Sequence, residues 1–130
     1  MELIRSKTYK YEVNNYINRD LYPVLSSKTI MITGATGMIG SCIVDLLVQC
    51  NSKFNFNTKI IAVSRNYEKA RERFSSYLHD KNFILKAHDV LQPISDIDTC
   101  DFIIHAASNA YPASFLNDPV GTMTGNLALD

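Results

Sequence analysis

The stretch Thr33-Gly34-Ala35-Thr36-Gly37-Met38-Ile39-Gly40 constrains the fold more than any other part of the chain, because its glycines follow directly on a run of β-branched residues. Residues 28–33 (KTIMIT) are apolar without alternation, as suits a strand buried on both faces of a parallel sheet. Over 38–49 the apolar positions Ile39, Ile43, Leu46 and Leu47 fall on one helical stripe. The glycines therefore occupy a strand-to-helix turn, where each meets a separate steric demand of holding a pyrophosphate. Gly34 permits the tight turn, Gly37 lets the backbone approach phosphate oxygens without an intervening Cβ, and Gly40 lets the helix pack closely on the strand. Thr36 lies in the same turn, and the N–H groups around Met38 and Ile39 sit at the positive end of the helix dipole, facing the anion. Glycines also collect in ordinary turns. Here the strand before, the amphipathic helix after and a further strand about 20 residues on favour nucleotide binding, and the missing GK[ST] ending disfavours a P-loop.

The same alternation continues along the chain. A second strand is predicted over 59–63 (KIIAV), followed by a charged helix over 67–78 (YEKARERFSSYL) with Ala70, Phe74 and Tyr77 turned inward. Residues 83–87 read as a third strand and 101–105 (DFIIH) as a fourth that runs into small residues. Asp118-Pro119 opens a last helix, with aspartate suited to the N-cap and proline to the first turn. Strands alternating with helices imply an α/β fold: a Rossmann-type doubly wound parallel sheet with helices on both faces, the first strand near its middle. Ahead of it, residues 1–27 form an N-terminal extension in which Val13, Ile17 and Leu21 recur every four residues, as on one face of a helix that ends before Pro23. Tyr9, Tyr11 and Tyr16 are expected to anchor this extension to the domain at 28–130, the alternative being an aromatic contact surface.

Bulk properties narrow the function. A chain of 130 residues, 46% of them hydrophobic, supports one core and not two ordinary domains. Thirteen basic residues balance 13 acidic ones, so the net charge points neither to nucleic acid nor to an anionic membrane surface. Cys42, Cys50 and Cys100 are odd in number and form no CxxC pair, which argues against a disulfide framework and a zinc site and for a reducing cytoplasm. No apolar run reaches the roughly 20 residues needed to span a bilayer. His79, His88 and His105 fall in different elements and read as surface or packing residues, so no metal site is expected.

At the tip of the second strand, folds of this type place an acidic residue for the ribose of NAD or an arginine for the 2′-phosphate of NADP. This chain has Ser64-Arg65-Asn66 there. Arg65 supplies a charge-assisted donor and no carboxylate repels a phosphate, so NADP is favoured over NAD, although Arg65 also fits an ordinary solvated charge at a strand end.

Taken in order, TGATGMIG, Ser64-Arg65-Asn66, His88-Asp89-Val90 and His105-Ala106-Ala107-Ser108 resemble the extended short-chain dehydrogenase/reductase family, and more narrowly its nucleotide-sugar epimerases and dehydratases. The tail 109–126 (NAYPASFLNDPVGTMTGN) is similar to the segment that follows in those enzymes, so the resemblance covers roughly 28–130. It implies that Asp89 and Val90 contact the adenine, and that Ala106, Ala107 and Ser108 lie along the ribose and nicotinamide. It also implies a nucleotide sugar as substrate of the intact enzyme. That family uses a Tyr-x-x-x-Lys pair for proton transfer. Tyr77 and Lys81 have the spacing but precede the third strand, whereas the family's pair follows the fourth, so we read them as coincidence and assign no catalytic residue. The chain is expected to be truncated after about four strands, with an uncovered apolar sheet edge open to self-association. Two functions stay open: the cofactor-binding part of a nucleotide-sugar enzyme, inactive alone, or a dinucleotide-binding module or inactive remnant without chemistry of its own.

Overall fold

The computed structural model describes residues 6–97, 99–108 and 111–127. The first five residues of the expected extension, the last three of the domain, and Asn109 and Ala110 of the tail lie outside them. Four parallel strands, β1 (Thr29–Thr33), β2 (Lys59–Ser64), β3 (Phe83–Ala87) and β4 (Phe102–His105), form one sheet in the order β3-β2-β1-β4. The α/β doubly wound class is thereby established, with β1 flanked by β2 and β4 in register: Met31 lies opposite both Ile61 and Ile103. From Ile30 onward every residue of β1 is buried, and β2 is buried after Lys59, which is why neither strand alternates.

The first face of the sheet carries Ile30, Ile32, Ile60, Ala62 and Phe83, packed under α3 (Met38–Phe54) and α4 (Tyr67–Arg73) through Val44, Leu47, Val48, Ala70 and Phe74. Phe74, Tyr77 and Phe83 stack on one another with centroids 5.5 to 6.2 Å apart, joining the end of α4 to β3. On the second face Met31, Ile61 and Val63 meet Ile94, Ile97 and Cys100 of the connection to β4. Ion pairs tie that connection to the sheet at either end, Lys86 of β3 with Asp96 and Lys28 ahead of β1 with Asp101. Hydrogen bonds to Lys86 hold the Asp96 carboxyl below its usual value, and the Thr29 N–H, then Lys28, do the same for Asp101.

Two predicted helices are shorter than their stripes. The spacing of Val13, Ile17 and Leu21 does not produce one helix: α1 spans Lys7–Tyr16, Ile17 is extended, and Asn18 caps a short 3-10 turn, Arg19–Leu21, by accepting from Asp20 N–H at 2.8 Å. Pro23 then falls inside the first turn of α2 (Tyr22–Leu25), where its missing N–H costs nothing. An asparagine that bonds its own neighbouring backbone competes with the helix, and here it wins. Likewise α4 stops at Arg73 and hands over to a 3-10 turn, Ser75–Tyr77, though Ala70, Phe74 and Tyr77 all point inward as expected. After β4 come α5 (Pro112–Asn117), too short to leave a sequence pattern, and α6 (Pro119–Leu127). Asp118 caps α6 by accepting from Gly121 N–H at 2.9 Å.

Candidate functional site

Because β2 and β3 lie on one side of β1 and β4 on the other, the crossovers run to opposite sides of β1, and a crevice opens beyond the carboxyl ends of the strands. A cleft of about 410 Å³ lies there, lined by Gly34, Thr36 and Gly37 after β1, Ser64, Arg65 and Asn66 after β2, Asp89 and Val90 after β3, and Ala106, Ala107 and Ser108 after β4. Four strand ends thus bring together residues that are as much as 74 positions apart. The volume is in the range of small-molecule sites.

The turn after β1 is shaped by close backbone contacts. Gly34 has φ +65°, and a Cβ there would lie 2.5 Å from the carbonyl oxygen of Ala106. A Cβ on Gly40 would lie 2.4 Å from the carbonyl oxygen of Gly34. Only glycine lets helix, turn and the end of β4 converge this tightly. Ala35 N–H donates to Val63 O at 3.0 Å and Ala106 N–H to Thr33 O at 3.1 Å, so the turn is tied to both neighbouring strands. Gly37 is the N-cap of α3 and offers no side-chain acceptor, which leaves the first-turn N–H groups of this 17-residue helix free to meet an anion. Met38, Ile39 and Gly40 do not line the cleft themselves; the side chains of Met38 and Ile39 are exposed and Gly40 is buried beneath the turn.

Polar side chains at the rim are partly engaged. Thr36 and Ser64 share a hydrogen bond of 3.2 Å across the gap between β1 and β2. Asn66 caps α4 by accepting from Lys69 N–H at 2.9 Å. The Asp89 carboxylate accepts from Leu91 N–H at 3.1 Å, making the turn that closes the β3 side. His88, whose N–H donates to Ser64 O, shares a bond of 2.8 Å between Nε2 and Gln92 O. His105 shares 2.6 Å with Thr33 Oγ1, and its buried Nε2 has no partner among the described residues.

Sequence reasoning missed Val63, Lys69, His88, Leu91, Gly121, Thr122 and Gly125, which also line the cleft. Lys69 matters most, for it places a second cation beside Arg65 in the first turn of α4. Nothing in the run of alternating charges from Glu68 to Arg73 marks it out, since only the helix register decides which one faces the cleft. Tyr77 and Lys81, by contrast, do not line it: Tyr77 is buried and donates its hydroxyl to Asp45 at 2.7 Å.

A glycine turn leading into a helix at the switch point of a parallel sheet, with small residues at the end of the fourth strand, defines a dinucleotide-type Rossmann site. Comparison with known proteins extends this. Residues 30–130 match the model of the NAD dependent epimerase/dehydratase family, and the chain belongs to that family. UDP-glucuronic acid decarboxylase 1 of Xenopus tropicalis is 30% identical over 125 residues, 95% of this chain and 26% of that protein. UDP-glucuronic acid decarboxylase 6 of Arabidopsis thaliana is 29% identical over 102 residues, 78% of this chain and 28% of that protein. The chain therefore spans about a quarter of the length of these relatives and matches the nucleotide-binding portion of the family. Among solved structures, Pen from Bacillus thuringiensis superposes with a TM-score of 0.67 at 18% identity, over 81% of this chain and 33% of that one. The yeast methylglyoxal/isovaleraldehyde reductase complexed with NADPH does so at 0.51 and 23%, over 76% and 31%. Both share the fold.

Proposed function

We propose that this chain binds NADP in preference to NAD, as the cofactor-binding portion of an enzyme that acts on a nucleotide sugar. The observation that carries the preference is the pair Arg65 and Lys69 at the β2 side of the cleft, where no carboxylate stands at the strand tip. A 2′-phosphate placed there gains charge-assisted donors from both, whereas NAD leaves them unused. Gly34, Thr36, Gly37 and the first-turn amides of Met38 and Ile39, with Gly40 packed beneath, would hold the pyrophosphate, while Ser64 and Asn66 order the rim. Asp89 and Val90 would bound the adenine, and the flat backbone from Ala106 to Ser108 would carry the ribose and nicotinamide. The nicotinamide, when bound, supplies hydride transfer; the chain's own residues bind and orient it.

The relatives' names support a UDP-sugar as the substrate class of the intact enzyme. The three unpaired cysteines support a cytoplasmic setting. The second function left open by the sequence, a dinucleotide-binding module without chemistry of its own, would use the same cleft. Residues 1–27 serve in either case as an extension of the domain at 28–130. We also propose that the exposed side chains Phe102 and Ile103 on the edge strand β4, with Phe115 and Leu116 of α5, bring two copies of the chain together.

Titration of the full chain with NADPH and NADH tests the cofactor. NADPH is expected to bind more tightly, and Arg65→Ala and Lys69→Ala each to weaken it about tenfold while changing NADH less than about twofold. Equal binding of the two dinucleotides, unaltered by either variant, would refute the preference.

A further inference from the structure

The two helices that begin at the cleft are tied together behind it, and the N-terminal extension completes the tie. Asp45, in the second turn of α3, is fully buried. Its Oδ2 accepts from Tyr9 Oη of α1 at 2.8 Å and from the guanidinium of Arg73, the last residue of α4. Its Oδ1 accepts from Tyr77 Oη at 2.7 Å. A buried carboxylate is stable only when donors surround it, and here they come from three separate elements. Arg73 is itself nearly buried, and its Nη1 has no hydrogen-bond partner among the described residues, so Asp45 is the acceptor that holds it. Burial, and then the bond to Asp45, raise the Tyr9 pKa well above the ordinary tyrosine value, which keeps its hydroxyl a donor.

The start of α3 is fixed independently, by the Gly34 and Gly40 contacts and by the bond from Ala35 to Val63. The start of α4 is held more loosely: Ser64 Oγ donates to the Asn66 carbonyl at 3.4 Å and Asn66 caps the helix, and beyond these its position follows from packing and from Arg73 one turn past Lys69. We propose that Tyr9 is a positioning residue for the 2′-phosphate end of the cleft. Through Asp45 and Arg73 it sets where α4 presents Lys69 relative to the pyrophosphate turn on α3. This rests on the NADP reading above. It makes the N-terminal extension part of the binding machinery, although none of its described residues lines the cleft.

The test compares the full chain with Tyr9→Phe and with Tyr11→Phe, an exposed tyrosine of the same helix, by NADPH and NADH titration and by urea unfolding. Tyr9→Phe is expected to weaken NADPH about fivefold and NADH less than about twofold, and Tyr11→Phe to change neither. A Tyr9→Phe protein with a lowered unfolding midpoint but an unchanged ratio of NADPH to NADH affinity would reduce Tyr9 to a stabilising role and overturn the inference alone. Failure of the unaltered chain to bind either dinucleotide would overturn the NADP reading, and the inference with it.

Discussion

At the scale of single residues, the glycine turn was legible because a tight turn and a close helix leave no room for Cβ at Gly34 and Gly40. Lys69 was not legible, because choosing one lysine from a charged helix requires its register against the sheet. Gly121, Thr122 and Gly125 were hidden for a similar reason, since they reach the cleft only through the placement of α6. Tyr77 shows the reverse case, a motif-like spacing whose hydroxyl serves the core. Gly34 is the most sensitive position. Gly34→Ala adds a left-handed conformation unfavourable for alanine to a collision with the Ala106 backbone, and is expected to lower stability by about 3 kcal/mol in urea unfolding. Wild-type stability in this variant would mean that the turn and the end of β4 are not in contact.

At the scale of elements, strand positions followed from apolar runs, whereas helix lengths did not. The break at Ile17 and Asn18 illustrates why: apolar spacing records which side chains are buried, and a capping side chain decides where the backbone leaves the helix. The junction of β1 with β4 carries a pH signature. Asp101, just ahead of β4, accepts from Thr29 N–H at 2.8 Å and from Lys28 Nζ at 3.2 Å. Its carboxyl is held below the unfolded value, so its contribution to stability is present above about pH 4 and is lost as pH falls through the lowered folded value. The gap in thermal midpoint between wild type and Asp101→Asn is therefore expected to be constant from neutral pH to about pH 5 and to close below about pH 4. A gap of the same size at every pH would rule out the charged form as the stabilising species.

At the scale of the whole molecule, the parallel sheet and its switch point were readable from the alternation of elements, because a buried strand, a crossover helix and a second buried strand leave little topological choice. The exposed apolar surface beside these four strands was inferred only in outline. The structure locates it at β4, where Ile103 is 56% exposed although its neighbour Met31 is buried, and on α5, where Leu116 is 84% exposed. Sedimentation velocity is expected to show concentration-dependent association, reduced by Ile103→Lys with Leu116→Lys. A single monomeric boundary up to about 100 μM would exclude it, since it corresponds to an association weaker than about −5.5 kcal/mol.

One contact also sets a timetable. Thr33 and His105 pair across a separation of 72 positions, and the Gly34 backbone fits only against the carbonyl of Ala106. On a ribosome, β1, α3 and β2 emerge and can pair long before Ala106 has been made. Until that residue leaves the exit tunnel, the glycine turn has one wall. That corner of the cleft is thus assembled only after Ala106 has emerged, so an occupant would fasten β4 in place and would not seed β1.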